Sequence, residues 1–349
     1  MSVTIIDRTA GKLVLFLPAL DALGALNIPI WIESEQTDVV AHFKRLNPNI
    51  NSGRQNDSGS VKIVLIDSPA THLEEVRSAA IVYPIFSEYD QTASKEQSAN
   101  EQFWVPLGEQ KLLGHFLGDP TSLTDFVRYF RSGHLLRDRC VLITAGPTAE
   151  DLDPVRYLTN RSTGKMGVAL ARAAFISGAS VKLIMGPGNA SVPAYLQVRR
   201  VRSAAQMAQA VLEYFDDCDV YIGAAAVADF TPEQTATEKI KKTAAGLHLP
   251  LKRTIDILKT LSERRSKQVL VGFSVETEHV IENSLQKLKR KNLDLIVVNN
   301  PKEQGAAFAQ ETNKVVVIEK NGNVHRWPLM RKLDLSFRIM ELLAKVIAK

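Results

Sequence analysis

The sequence of 349 residues predicts an α/β protein whose C-terminal part is a doubly wound, parallel β-sheet covered by helices. Two observations predict this fold class. Short apolar runs alternate with longer amphipathic segments between residues 141 and 298, which is the order of elements in a parallel sheet. The apolar runs are also continuous, without alternating polar residues, which is typical of strands buried on both faces.

The elements of the C-terminal part follow in order along the chain. Strands are predicted at 141–145, 180–185, 219–225, 269–274 and 294–298, and helices at 165–177, 204–215, 255–264 and 280–291. Two further strands, 315–319 and 324–327, flank Asn321-Gly322, a dipeptide that suits the tight turn of a hairpin. An amphipathic helix is predicted over 332–348, so the sheet should end in a hairpin and a helix.

The N-terminal part predicts a smaller, divergent α/β region. Its strands are expected at 13–17, 28–32, 61–66 and 80–86, and its polar stretches, 51–60 and 87–102, are expected to be loops. A chain of this length has room for two domains, since domains typically hold about 100–200 residues. We therefore predict one domain over residues 1–130 and a second over residues 138–349.

Composition narrows the class of protein. A hydrophobic fraction of 45% and a charged fraction of 23% are those of a globular protein. No apolar run approaches the roughly 18 residues that a membrane span needs, and the first residues lack the basic and apolar regions of a signal peptide. The two cysteines, Cys140 and Cys218, adjoin apolar strands and predict buried, reduced thiols. We therefore expect a cytoplasmic protein with no membrane partner.

The net charge of +5 comes with clusters of lysine and arginine between residues 239 and 291. Surfaces that bind single-stranded nucleic acid combine such charges with aromatic side chains on which bases stack. Aromatic residues are nearly absent from these clusters. We therefore expect a small polyanion such as a nucleoside triphosphate as the partner, and no nucleic acid.

The segment from residue 140 to residue 168 predicts a strand, a glycine turn, a long loop and a helix. Ser162-Thr163-Gly164-Lys165 opens the helix, and backbone N–H groups at a helix N-terminus favour phosphate. Neither the P-loop motif nor the dinucleotide fingerprint fits. An ordinary capped helix is the alternative, because Ser and Thr are preferred N-cap residues. Spacing alone favours neither interpretation.

The residues of several motifs carry a more specific signal. These are ITAGPT (143–148), LDPVRYLTN (152–160), STGKMG (162–167), GAAAVADF (223–230), EKIKK (238–242), VGFSVET (271–277) and KLKRKNLDLIVVN (287–299). In this order they resemble the bacterial phosphopantothenoylcysteine synthetases over roughly residues 138–349. The resemblance implies a Rossmann-like fold and an enzyme of coenzyme A biosynthesis. That enzyme joins 4′-phosphopantothenate to L-cysteine, with CTP and Mg²⁺, through an acyl-cytidylate.

The resemblance also implies roles for individual residues. Asn160 and Lys239 match catalytic residues of the family. The residues that match its nucleotide site are Ser162, Gly164, Lys165, Gly223, Ala224, Ala225, Asp229, Lys239, Asp256, Ile257, Phe273, Lys287 and Lys291. Asp256 is the one candidate magnesium ligand among them. A homodimer is implied as well, because members of the family complete their site from a neighbouring protomer.

One motif departs from the family. Thr254-Ile255 stands where the family commonly has Asn-Pro. Proline would have fixed φ ahead of the following helix, so this loop is expected to be reshaped. Thr254 is expected to cap the helix over 255–264.

Residues 1–130 do not match the flavin-dependent decarboxylase that many bacteria fuse ahead of the synthetase. They lack a glycine-rich flavin loop, a Pro-Ala-Met-Asn segment and any cysteine. We interpret them as a degenerate or divergent relative of the decarboxylase or as an unrelated leader, and we expect no flavin.

Two rival functions stay open at this point. One is an NAD(P)-binding oxidoreductase of the same fold class, although no dinucleotide fingerprint follows a predicted strand. The other is a non-catalytic regulatory subunit, which the divergent N-terminal part suggests and which the presence of Asn160 and Lys239 argues against. ATP is the alternative to CTP, because base choice can rest on backbone groups.

Overall fold

The computed structural model describes residues 3–8, 20, 23, 29–53, 61–66, 81–84, 103–107, 110–114, 124–125, 127–129, 132–193, 195–241, 247–276, 278–300, 303 and 309–348. The chain divides into two compact units. The first comprises Met1–Ser132 with Pro193–Tyr195, and the second comprises Gly133–Val192 with Leu196–Lys349.

The described part of the first unit contains a parallel sheet and a hairpin. Its elements are β1 (Val3–Arg8), β2 (Ile30–Glu33), α1 (Thr37–Leu46), β3 (Ile50–Ser52), β4 (Val61–Ile66), β5 (Ile81–Pro84), β6 (Phe103–Leu107) and β7 (Gln110–Gly114). Five strands pair in parallel in the order β3-β2-β1-β4-β5, and β6 pairs with β7 antiparallel.

The sequence predicts part of this unit. The expected strands at 28–32, 61–66 and 80–86 overlap β2, β4 and β5. The loop expected at 51–60 was wrong at its start, because residues 51 and 52 belong to β3. The strand expected at 13–17, the loop expected at 87–102 and residues 54–60 lie outside the described residues. Helix α1 was missed because it is mostly polar and buries only Val40 and Phe43 among its ten residues.

The second unit carries a larger sheet. Its strands are β8 (Cys140–Ala145), β9 (Ala149–Asp151), β10 (Tyr157–Thr159), β11 (Ser180–Met185), β12 (Gln197–Arg200), β13 (Val220–Gly223), β14 (Phe230–Pro232), β15 (Leu251–Arg253), β16 (Val269–Val275), β17 (Leu295–Asn299), β18 (Thr312–Glu319) and β19 (Val324–Arg331). Its described helices are α2 (Lys165–Ile176), α3 (Ala204–Tyr214), α4 (Ile257–Arg264), α5 (Val280–Arg290) and α6 (Lys332–Ile347).

Eight strands form this sheet in the order β12-β11-β8-β13-β16-β17-β18-β19. The first six are parallel, and β18 and β19 join antiparallel as the predicted hairpin. The chain starts in the middle at β8, winds to one edge, and then returns to continue from β13. Such a reversal opens a crevice at the carboxyl ends of the two central strands, where ligands bind in doubly wound folds.

Helices cover both faces of the sheet, which confirms the predicted fold class. Leu142 on β8 belongs to one buried cluster with residues of α3, α4 and α5, among them Met207. Ala145 lies three residues further along β8 and therefore points to the opposite face. There Gly167 of α2 comes so close that an added Cβ would lie 2.4 Å from the Cβ of Ala145. Helix α6 packs on α2.

Two short hairpins, β9–β10 and β14–β15, were missed from the sequence. Each strand has three residues, too few for a recognisable alternation, and all three residues of β15 are exposed. The expected cap of α4 was wrong. Asp256 is the N-cap and accepts a hydrogen bond from the Lys259 N–H at 3.2 Å. The Thr254 hydroxyl donates instead to the carbonyl of Ala228 at 2.5 Å, because the helix begins two residues later than predicted.

The turns after β8 and β11 touch at Gly186. A Cβ on this residue would lie 1.7 Å from the carbonyl oxygen of Pro147, which is a backbone atom and cannot rotate away. The Gly186 N–H donates to the carbonyl of Ala145 at 3.0 Å. Only glycine therefore lets the two turns meet.

We predict that Gly186→Ala destabilises the second unit by about 1–3 kcal/mol, the usual cost of forcing extra atoms into a packed site. Gly133→Ala is the matched control, because its Cβ would have nothing within 4 Å. Urea unfolding of both variants measures the effect. Equal midpoints for the two would contradict the close approach at Gly186.

Candidate functional site

The crevice is built on two backbone segments that follow the central strands. Pro147, after β8, forms a parallel bridge with Ala226, after β13. The Ala226 N–H donates to the Gly146 carbonyl at 2.8 Å, and the Ala228 N–H donates to the hydroxyl of Thr148 at 3.0 Å. Thr148 is fully buried. The segment from Ala226 to Ala228 is thereby fixed at the point where the sheet reverses.

Asn160 lies against the same segment. It follows β10, whose last residue, Thr159, donates through its hydroxyl to the Thr148 carbonyl at 2.7 Å. The Asn160 side-chain amide donates to the carbonyls of Ala226 at 2.9 Å and Val227 at 3.3 Å. Asn160 therefore joins the β9–β10 hairpin to the crevice, and it remains exposed to solvent.

Gly223, Ala224 and Ala225 lead from the end of β13 into this segment and are half-buried. A Cβ on Gly223 would lie 3.2 Å from a ring atom of the buried Tyr221. Tight packing therefore accounts for the glycine.

Lys287 of α5 and Lys291, the C-cap residue of that helix, form the lysine pair of α5, and they lie with the N-cap of α4 in a charged group at the same edge. The Lys291 ammonium contacts Asp256 Oδ1 at 2.9 Å. The Lys287 ammonium donates to the Ser274 hydroxyl at 3.0 Å, and that hydroxyl donates to Glu276 Oε1 at 2.7 Å. Because Lys287 and Lys291 lie four residues apart, they share one helix face.

The environment shifts two of these groups. Burial lowers the pKa of Lys287, and repulsion by Lys291 lowers it further, while Glu276 and Asp229 act in the opposite direction. Burial tends to raise the pKa of Asp256, but hydrogen bonds from Lys291 and the Lys259 N–H outweigh it, so the pKa lies below its usual value. The two ammonium groups therefore lie among three carboxylates, those of Asp256, Glu276 and Asp229, and a phosphate-rich ligand would compete with these carboxylates for the lysines.

Two predicted nucleotide contacts lie apart from these lysines. Ile257 is buried in the core cluster between α4 and the sheet. Phe273 immediately precedes Ser274 on β16, so its ring points to the opposite face of the sheet from Lys287. Phe273 is half-buried.

The helix-entry residues Ser162, Gly164 and Lys165 lie at the carboxyl end of β8. Gly164 is the N-cap of α2 with φ +87°, and its N–H donates to the Ser162 hydroxyl at 3.4 Å. The Lys165 ammonium contacts the Ala309 carbonyl at 2.9 Å and Glu311 Oε1 at 2.5 Å. Lys165 therefore pairs with groups just ahead of β18, whereas the carboxylate of Asp256 pairs with Lys291.

Lys239 is exposed on the segment that follows β14. The next residue, Ile240, is held through its backbone: its N–H donates to Asp153 Oδ2 at 3.1 Å, and its carbonyl accepts from Arg156 at 2.6 Å. Asp153, Arg156, Thr148 and Ser274 were not selected from the sequence. The motif LDPVRYLTN contains Asp153 and Arg156. Their hydrogen bonds to Ile240 could not be predicted from it, because Ile240 lies 87 and 84 residues further along the chain.

Other site classes find little support in the part of the chain that is described. No group of three or more His, Cys, Asp or Glu side chains there could hold a metal ion by itself. No helix there is long and apolar enough to cross a membrane. Cys140 and Cys218 are free thiols, and burial raises the pKa of both, that of Cys218 to about 12.

The sequence of this chain is similar to a known domain family and to bacterial proteins. The sequence profile of the DNA/pantothenate metabolism flavoprotein C-terminal domain matches residues 136–347. The coenzyme A biosynthesis bifunctional protein CoaBC of Bacillus subtilis (strain 168) is 50% identical over 210 residues, which are 60% of this chain and 52% of that protein. The match thus spans about half the length of that relative.

Two further similarities extend the comparison. The CoaBC protein of Vibrio parahaemolyticus is 32% identical over 344 residues, which are 93% of this chain and 82% of that protein. The crystal structure of the C-terminal domain of a CoaBC protein is 37% identical, covers 62% of this chain and 99% of that chain, and has a TM-score of 0.54. The profile match covers more than half of the sequence, and the chain belongs to the DNA/pantothenate metabolism flavoprotein C-terminal domain family.

Proposed function

We propose that this protein is a CTP-dependent phosphopantothenate–cysteine ligase of coenzyme A biosynthesis and that residues 138–349 form its ligase domain. The observation that carries the proposal is the meeting of Asn160 with the Ala226–Ala228 segment at the reversal of the sheet. The lysine pair of α5 and Asp256 lie at the same edge. Relatives that match this part of the chain are named for coenzyme A biosynthesis.

The reaction needs two steps because a carboxylate is a poor acyl donor. The carboxylate oxygen of 4′-phosphopantothenate first attacks the α-phosphorus of CTP, the bond to the β-phosphate oxygen breaks, and pyrophosphate leaves. The amine of L-cysteine then attacks the acyl carbon, loses a proton and displaces CMP, which leaves the amide. Negative charge develops on phosphoryl and then on acyl oxygen, and fixed donors stabilise it.

The residues of the site divide between these steps. We assign the triphosphate to Lys287, Lys291 and the loop that carries Asp229, and the acyl intermediate to the amide of Asn160. Lys239, whose side chain is exposed, acts on the developing charge. These roles rest on the family motifs and on the position of the two lysines beside Ser274 and Asp256.

The remaining predicted contacts belong to the same proposal. We assign further nucleotide contacts to the helix entry and to the small residues after β13, which are Ser162, Gly164, Lys165, Gly223, Ala224 and Ala225. Contacts by Ile257 and Phe273 stay predictions of the motifs, because Ile257 is buried in the core cluster and Phe273 points to the opposite face from Lys287. A Mg²⁺ ion would take most of its oxygen ligands from the triphosphate, as it commonly does, with Asp256 as the protein carboxylate nearest the lysines. That no flavin binds stays a prediction.

We predict that the protein releases pyrophosphate from CTP only when phosphopantothenate is present and forms amide only when cysteine is added.

Lys239→Gln should lower kcat more than it weakens nucleotide binding, because Lys239 acts on the transition state. Lys267→Gln, an exposed lysine ahead of β16 at the other end of the strand, is the charge-matched control. A pyrophosphate assay with CTP or ATP measures the first step and the turnover, mass spectrometry of the product measures the amide, and titration with CTP measures nucleotide binding. NADPH oxidation without any turnover of triphosphate would support the rival oxidoreductase.

We predict that Asn160→Asp separates the two steps. The new carboxylate repels the charge that cysteine attack builds on the acyl oxygen, whereas the attack on the α-phosphorus relies on the lysines. The variant should release pyrophosphate and retain an acyl-nucleotide, detectable by mass spectrometry after acid quench, while forming little amide. Amide formation at the wild-type rate would remove Asn160 from the catalytic residues.

A homodimer is part of the proposal. Large apolar side chains are exposed on both short hairpins of the second unit, with exposed fractions of 59% for Val155, 51% for Tyr157 and 49% for Phe230. We assign the contact with a second copy to these side chains, because removing exposed apolar surface from water favours association. The hairpins also flank Asn160, so a partner seated on them would border the site.

We predict a dimer in light scattering and a shift to monomer in the double variant Val155→Asp/Phe230→Asp, because two buried charges would oppose association. Leu329→Asp is the control, since Leu329 is similarly exposed (48%) but lies on the edge strand β19. A monomeric wild-type protein with full activity would contradict the proposal.

A further inference from the structure

Asp153 is a fully buried carboxylate in the turn between β9 and β10, with 0% of its side chain exposed. Its Oδ1 accepts hydrogen bonds from the N–H groups of Val155 and Arg156, both at 2.8 Å. Its Oδ2 accepts from the N–H of Ile240 at 3.1 Å. One oxygen therefore shapes the turn, and the other reaches a segment distant in sequence.

Arg156 binds the other backbone group of Ile240, its carbonyl. Its guanidinium donates to the Ile240 carbonyl at 2.6 Å and lies 3.4 Å from Asp153 Oδ2. Two side chains of one turn thus bind both backbone groups of Ile240, as a neighbouring strand would. Burial tends to raise the pKa of Asp153, but the three N–H donors and Arg156 outweigh it and lower the pKa, so the carboxylate is ionised at neutral pH.

The segment is anchored a second time ahead of Lys239. The Thr235 hydroxyl donates to the Asp151 carbonyl at 3.1 Å, and the Ala236 N–H donates to the Leu152 carbonyl at 2.9 Å. The backbone around Lys239 is therefore held on both sides by the turn and strand that lead to Asn160. Arg156 and Asn160 are separated by β10, a distance of about 13 Å at the usual rise of a strand.

We propose that Asp153 is a positioning residue that fixes Lys239 relative to Asn160 by holding the backbone of Ile240. This inference rests on the proposed role of Lys239. Asp153 touches no reacting atom and acts through the segment that it binds. Its chemistry suits the task, because a carboxylate accepts at both oxygens and can hold the turn and the segment together.

Asp153→Asn tests whether the Asp153 carboxylate holds the backbone of Ile240 in place. An asparagine keeps one oxygen, which still accepts from Val155 and Arg156, but it presents an amide donor to the N–H of Ile240. The matched control is Asp151→Asn, because Asp151 is a neighbouring carboxylate that pairs with Arg202 near the surface and does not bind Ile240 through its side chain. Exposed ion pairs of that kind contribute little to stability.

The first measurement is hydrogen exchange of the full-length protein by mass spectrometry. We expect the peptide that contains Ile240 to exchange faster in Asp153→Asn than in the wild type or in Asp151→Asn. Peptides from β17, whose residues are all buried, should keep their protection and report that the variant is folded. Unchanged exchange at Ile240 would overturn the inference.

The second measurement is a double-mutant cycle on turnover. We expect Asp153→Asn to lower kcat by about 10- to 100-fold, the effect of displacing a group by about 1 Å, with the KM for CTP within about twofold of wild type because the lysine pair is untouched. Asp153→Asn combined with Lys239→Gln should be no slower than Lys239→Gln alone, because both remove the same contribution.

The outcomes separate the inference from the function on which it rests. If Lys239→Gln turns over at the wild-type rate, the role proposed for Lys239 is wrong and the inference fails with it. If Lys239→Gln is slow while Asp153→Asn is not, or if the two losses multiply in the double variant, the inference alone is wrong.

Discussion

The site depends on one backbone contact, the bridge between Pro147 after β8 and Ala226 after β13. The bridge forms where the chain, after adding strands on one side of β8, begins to add strands on the other side with β13. Two turns that are distant in sequence therefore meet at one edge of the sheet. The buried hydroxyl of Thr148 accepts a hydrogen bond from the Ala228 N–H beside this bridge. The amide of Asn160, which follows the β9–β10 hairpin, donates to the Ala226 carbonyl. A small displacement of either turn would therefore move the donors that face the crevice.

Charge is distributed over this edge in a way that fits the proposed chemistry. Asp256 caps α4 and pairs with Lys291, while Lys287 donates to the Ser274 hydroxyl and feels the negative charges of Glu276 and Asp229. A triphosphate would compete with these carboxylates for the two lysines. The β9–β10 hairpin is acidic, with Glu150, Asp151 and Asp153 against Arg156, and Asn160, which follows it, contributes the uncharged amide that we assign to the acyl group.

The sequence predicted the large sheet well because its strands are continuous apolar runs and its helices have clear apolar faces. It predicted less where the information is not local. The hairpins of three-residue strands carry no periodicity, and α4 begins at Ile257 because Asp256 is a better cap than Thr254. The motifs selected Asn160 and Lys287, whereas the link from Asp153 to Ile240 joins residues 87 positions apart and follows only from the fold.

The proposed nucleotide site is the crevice beside Ala226, with the lysine pair of α5 as its anchor, and a crystal structure of the protein with CTP tests it. We expect the nucleotide in this crevice, with the ammonium groups of Lys287 and Lys291 within hydrogen-bond distance of it and Asn160 beside the α-phosphate. A nucleotide bound elsewhere, with these lysines still paired to Ser274 and Asp256 alone, would refute the proposed site.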